Sequence, residues 1–335
     1  MTYYPAGREG LLEVLSWARP HDSETERRFC REYLDKVPGM TADAFGNRML
    51  RIGDAPVMWS CHVDTVASKC GPQLLDFDPV TEIVGLAGGK AGQSLGADDG
   101  TGVWIMLNMI AARRPGLYLF HRGEERGCLG SSWLKENTPE VLEGLQAAVA
   151  FDRAGYSDVI THQSYGRTCS DAFAKSVAAQ LNACWPDFDY QPDDGGIYTD
   201  TNEYAGMIPE CSNLSVGYYG QHGPRETQDV AHAERLLAAM LVFDFDQCVI
   251  DRDPAVIDAD DRWGWMKDDW RAPKRKPSKD DMNAYTEAVE ESPHVAALLL
   301  AELGISLDDF LDEAWASDRF GDDRWQDDYR PMATA

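Results

Sequence analysis

Ser94-Leu-Gly-Ala-Asp98-Asp99-Gly-Thr-Gly102 is the stretch on which the reading of this chain turns. Two adjacent acids, Asp98 and Asp99, sit among small residues and lead directly into the apolar run 103–110, whose spacing predicts a helix. The acids therefore fall at a loop-to-helix junction, where small residues permit close backbone approach and a helix start favours negative charge. An acidic N-cap accounts for one such residue by itself. Acids and histidines elsewhere decide between a cap and a site.

Outward from this junction, apolar strands alternate with helices. Residues 10–17 and 23–37 carry helical spacing broken at Pro20, with Ser23 as N-cap and Glu26 closing a capping box. Residues 48–52 and 55–61 read as strands, the second running into His62-Val63-Asp64-Thr65, and 71–92 as loop and short strand. Beyond the helix, 117–121 is a strand followed by Arg122-Gly123-Glu124-Glu125-Arg126-Gly127, and Gly130-Ser131-Ser132 opens a short helix. Residues 145–151 form a strand ending in Asp152, 158–163 another, 170–183 a helix and 211–219 a strand. A loop containing His222 and a helix over 231–243 follow. Such alternation predicts an α/β sandwich with a mostly parallel sheet covered on both faces.

His62 and Asp64 thus follow one strand, Glu124 and Glu125 a second, Asp152 a third and His222 a fourth, while Asp98 precedes a helix. Taken singly, each has a structural explanation: a core histidine, a solvated turn, a cap. Their concurrence at strand ends, where open α/β sheets place their sites, argues for a site. Imidazole with carboxylate suits zinc, with cobalt and manganese as competitors. Two cations about 3.5–4 Å apart need a bridging carboxylate and can hold a water between them. Residues i and i+2 of extended chain point the same way, so Asp64 can orient His62. Of two adjacent glutamates, one can bind metal while the other takes a proton from water.

Composition narrows the partners. A net charge of −26 argues against nucleic acid or an anionic membrane. No apolar run approaches the roughly 20 residues that span a bilayer, and the N-terminus lacks the form of a signal peptide. Eight cysteines without a Cys-x-x-Cys pair fit reduced thiols in a cytoplasmic protein rather than a disulfide framework or a cysteine zinc site.

The set His62-Val-Asp64-Thr, Gly96-Ala-Asp98-Asp99-Gly-Thr-Gly, Gly123-Glu124-Glu125-Arg-Gly with Gly130-Ser131, Asp152 and His222 resembles the co-catalytic dinuclear zinc exopeptidases. That superfamily comprises zinc aminopeptidases, tripeptidase, glutamate carboxypeptidases and related deacylases. The resemblance covers roughly residues 8–245 and implies a phosphorylase/hydrolase-like three-layer α/β/α sandwich. It implies that His62, Asp98 and Asp152 hold one zinc and that Asp98, Glu125 and His222 hold the other. Asp64 would orient His62, Glu124 would be the general base, and the Asp98–Asp99 peptide would be cis. Only about 70 residues separate Asp152 from His222, too few for the separate lid that many members insert there. The layout is therefore similar to the single-domain aminopeptidases. The expected activity is hydrolysis of a peptide bond by an aminopeptidase acting on a peptide. Alternatives are a carboxypeptidase or N-acyl amino acid deacylase acting on an acyl amino acid, or a non-catalytic protein retaining the fold. Arg153 and Arg225 flank expected ligands and would either pair a substrate carboxylate or neutralise neighbouring acids.

From residue 251 the composition changes: acids alternate with Trp263, Trp265 and Trp270, then a basic, proline-containing island spans 271–279. Helical spacing over 281–290, 294–303 and 307–315 predicts a small helical appendage, which would engage the catalytic domain, a second copy or a protein partner. Its Leu-Gly-Ile-Ser turn resembles a helix-turn-helix, but Asp308, Asp309, Asp312 and Glu313 would repel phosphate. The expected domains are a metallopeptidase domain over 1–250 and the acidic appendage over 251–335.

Overall fold

The central strands read as unbroken apolar runs because helices or loops cover both faces of their sheet. The computed structural model describes residues 4–164 and 166–256. Its main sheet contains Thr41–Ala42 (β1), Arg48–Ile52 (β2), Val57–His62 (β3), Gly116–His121 (β4), Ala147–Arg153 (β5), Asp158–Ile160 (β6), Gln191–Asp193 (β7) and Glu210–Ser215 (β8). Their order is β7-β6-β8-β5-β3-β4-β2-β1. The inner run β8-β5-β3-β4 is parallel. β2 joins β4 and β1 joins β2 antiparallel, and β6 is antiparallel to β8 although parallel to β7. The sheet is thus mixed, parallel at its centre. β2 leaves Met49 and Leu50, which face opposite layers, both half-buried, as befits a strand near the edge of the sheet.

The helices are Gly7–Leu15 (α1), Glu24–Phe29 (α2), Ala97–Ala111 (α3), Leu129–Asn137 (α4), Asp171–Cys184 (α5) and Val230–Met240 (α6). α3 is buried almost all round, as its apolar run demands, between β3 and β5 beneath and α1 and α6 above. Alternate strand residues serve opposite layers. Val57, Trp59, Tyr118, Phe120, Val149 and Phe151 join the core under α3, whereas Met58, Leu117, Leu119 and Ala148 pack with Leu134 of α4 and with Tyr204. Each such large side chain contributes about 1.5–3 kcal/mol on burial.

Ser23 caps α2, its hydroxyl accepting the Glu26 amide at 3.1 Å. The expected box does not close. Glu26 accepts the Asp22 amide at 2.7 Å and pairs with Arg122, because that guanidinium is the stronger partner for a buried carboxylate. A second, antiparallel sheet joins Leu75–Asp78, Ile83–Leu86, Thr227–Asp229 and Tyr218–Tyr219, and holds the hairpin that carries His222. The chain between Asp152 and His222 is spent on β6, α5, β7, a 3-10 helix over Asp200–Tyr204, β8 and short hairpin strands, with no separate lid among the described residues. Past position 250 the chain stays attached. Glu210 accepts the amides of Asp251 and Arg252, and the Arg252 guanidinium donates to the carbonyls of Ala205, Ile208 and Pro209. The helices expected between 281 and 315 lie outside the described residues.

Candidate active site

His62 closes β3 in register with His121 at the end of β4, and Asp152 lies near the end of β5, so parallel pairing delivers them to one edge. His62 Nε2 is 3.0 Å from Asp98 Oδ1 and 3.5 Å from Asp152 Oδ1. His222 Nε2 is 3.1 Å from Asp98 Oδ2 and 3.2 Å from Glu125 Oε2. Asp98 therefore turns one oxygen to each histidine. Glu124 Oε2 lies 3.9 Å from His62 Nε2. All the residues expected from the sequence meet here.

Of the two adjacent acids, Asp98 points into the site while Asp99 caps α3, accepting the Gly102 amide at 2.9 Å and the His62 amide at 3.1 Å. The peptide between them is cis. Gly96 precedes them with φ 73°, and a Cβ there would come within 2.8 Å of the Thr65 side chain, so only glycine fits. Asp64 acts differently from expectation. Its carbonyl oxygen lies 3.0 Å from His62 Nδ1, which fixes the ring, whereas its carboxylate accepts the amides of Gly123, Glu124 and Glu125 at 2.7, 3.3 and 3.3 Å. The side chain thus holds the glutamate turn, because three amides in a tight turn outcompete one imidazole 3.8 Å away. Arg122 braces the same turn, forking onto Glu26 at 2.7 and 2.8 Å. Glu124 Oε1 also receives the Cys128 thiol at 3.6 Å.

Four carboxylates and two imidazoles crowd a buried space, and their protonation reflects it. Burial, with the charges of Asp152 and Glu125, holds Glu124 well above the usual carboxylate range. Burial and the neighbouring Asp98 push Glu125 up to about 7 and Asp152 up to about 6. Burial opposes ionisation of Asp98 as well, but hydrogen bonds with His222 and His62 hold it well below the usual range. His222 rises to about 11 despite burial, through Asp98 and Glu125. This centre calls for positive charge. Glu125 Oε1 is buried and has no hydrogen-bond partner, as a ligand atom awaiting a cation would be. His62, Asp98 and Asp152 offer ligand atoms within 4.8 Å of one another, as do Asp98, Glu125 and His222. Both triads suit divalent zinc, with Asp98 common to the two. Of two further groupings, His62, Glu124 and Glu125 shares His62 and Glu125 with these triads, and His21, Glu26 and Asp64 has its carboxylates committed to Arg122 and to the amides of Asp22 and Gly123.

Several supporting residues escape a reading of the sequence. Glu226 is buried and accepts the amides of Gly96 and Asp98 at 2.9 and 3.0 Å. Asn213 pins the Asp152 backbone through both its amide and its carbonyl, and the Thr199 hydroxyl donates to Asp152 Oδ2 at 2.7 Å. Glu226 alone sits in a stretch that sequence reasoning marked, four residues past His222. Arg153 is committed to Asp158 at 2.9 Å, which favours the neutralising role over substrate binding. Arg225 is exposed and makes no ion pair among the described residues.

An α/β/α sandwich with such a carboxylate- and imidazole-lined centre defines the class, a metallohydrolase. Residues 47–205 match the family model described as Peptidase family M28, a span that contains every residue named for the centre except His222. Match and fold are both consistent with the dinuclear zinc exopeptidase superfamily and support a peptide-bond hydrolase. Similar solved structures include a tripeptidase from Staphylococcus aureus (TM-score 0.55, 14% identity, covering 69% of this chain and 95% of that one). Aminopeptidase PepT from Bacillus cereus is also similar (TM-score 0.53, 12% identity, 69% and 96% covered). So is the TET1 peptidase of Pyrococcus horikoshii (TM-score 0.50, 15% identity, 71% and 100% covered). At these identities the likeness is one of fold. No curated protein matches the chain in sequence.

Proposed function

We propose that this chain is an aminopeptidase that holds two divalent ions, zinc by preference, on His62, Asp98 and Asp152 and on Asp98, Glu125 and His222. The observation that carries the reading is Asp98, which turns one carboxylate oxygen to each of two histidines with Glu124 alongside. When bound, the ions would lower the pKa of a water and polarise the scissile carbonyl. Glu124 takes a proton from the attacking water at Oε2 and returns it to the leaving nitrogen. The Asp64 carboxylate and the Arg122–Glu26 pair keep the glutamate turn in place while this happens. Arg153, a cation beside the centre, is already taken by Asp158, which weighs against recognition of a free substrate carboxylate. Eight unpaired cysteines fit a reducing, cytoplasmic setting. No helix of the described residues is long and apolar enough to cross a membrane.

The carboxypeptidase or deacylase reading has one observation in its favour, the exposed Arg225 three residues from His222. Peptides with free amines, blocked amines and free carboxylates, offered with zinc, cobalt and manganese, separate the two. Cleavage of free-amine substrates alone, lost on chelation and restored by metal, is the expected result. Cleavage of blocked-amine substrates that fails in Arg225→Ala would establish the second reading. Protein prepared with zinc that contains no divalent metal would overturn both.

A further inference from the structure

Asp152 is not aimed by its own strand alone. Its Oδ1 faces His62 Nε2 at 3.5 Å, and the Tyr218 hydroxyl reaches only its carbonyl oxygen and Oδ1, at 3.2 and 3.4 Å. Oδ2 is taken by Thr199, a residue 2% exposed, through a 2.7 Å bond. Thr199 lies in extended chain immediately before the 3-10 helix Asp200–Tyr204, and the next residue is anchored from two sides. Asp200 accepts the Ser131 hydroxyl from α4, and its Oδ2 lies 3.3 Å from His121 Nδ1 at the end of β4. His121 Nε2 in turn meets the Tyr204 hydroxyl at 2.8 Å. One dipeptide thus ties Asp152 to the element that follows the glutamate turn.

We infer that Thr199 is a positioning residue for the metal centre: its hydroxyl occupies Oδ2 of Asp152, leaving Oδ1 as the single oxygen offered to a cation. The inference rests on the ligand assignment proposed above. Partners that orient a ligand from behind typically govern metal affinity or activity by about 10–100-fold. Valine is close to threonine in shape but donates nothing, so Thr199→Val leaves Oδ2 without its partner and the carboxylate free to turn Oδ1 out of line.

The test titrates the full-length protein with zinc against a chromophoric chelator and measures hydrolysis of a free-amine peptide in parallel. Thr199→Val is expected to bind one of its two ions about 10–100-fold more weakly, with kcat reduced and KM little changed. Thr199→Ser, which keeps the hydroxyl, is expected to restore both. Wild-type affinity for both ions in Thr199→Val, or a Thr199→Ser variant as weak as the valine variant, overturns the positioning role alone. Wild-type protein that binds no divalent metal overturns the ligand assignment and the positioning role with it.

Discussion

Glu124 and Glu125 are neighbours in sequence with different surroundings. Glu125 faces His222 with one oxygen and leaves the other without a partner, whereas Glu124 lies between the Cys128 thiol and His62. Glu124→Gln is therefore expected to keep both metals and lose rate by about 10²–10⁴-fold or more, with KM nearly unchanged. Glu125→Gln is expected to lose metal as well as rate, with partial rescue by excess zinc. Elemental analysis beside steady-state kinetics distinguishes them, and metal loss confined to the first variant would swap the roles. The sequence marked these two, as well as His62, Asp98, Asp152 and His222, because each sits at the end of a legible strand or the start of a legible helix. Thr199 and Asn213 were illegible for the opposite reason. Nothing in their local spacing says that they will meet Asp152; only the pairing of β8 with β5, and the packing of the 3-10 helix Asp200–Tyr204 against both, bring them there.

At the level of elements, the glutamate turn hangs between α2 and β4 on the Glu26–Arg122 pair. Burial alone would raise Glu26, but the His21 ring 3.7 Å away and the hydrogen-bonded Arg122 guanidinium bring it down to about 2 from an ordinary 4.5. A carboxyl depressed in the folded state stabilises above its unfolded pKa and loses that contribution as pH falls through the folded value. Between pH 4.5 and about 2, the wild type is expected to lose an advantage of about 3 kcal/mol over Glu26→Gln, measured by urea unfolding at a series of pH values. A difference independent of pH would show that packing, not ionisation, fixes the pair. Arg48–Ile52 was legible to the residue as a strand, but its antiparallel join to β4 was not, because alternation gives burial and says nothing of direction.

On the scale of the molecule, the hydrogen bonds of Arg252 continue the catalytic domain beyond the boundary expected at 250. A chain ending at Val256 is expected to fold and to hold metal as the full chain does. One ending at Ile250 forfeits those carbonyl bonds and both amide bonds to Glu210, and is expected to be about 2–4 kcal/mol less stable by denaturant titration. A folded 1–256 chain that no longer holds metal would mean that a residue beyond it completes the centre. The hairpin between Tyr218 and Asp229 carries a further implication. It bears His222, which faces one triad, and Glu226, which grips the backbone of the carboxylate common to both. Pulling this ribbon away from the main sheet would take His222 from one triad and slacken Asp98, which belongs to both, in a single motion. The small sheet beneath it is thus the clasp on which both halves of the centre depend.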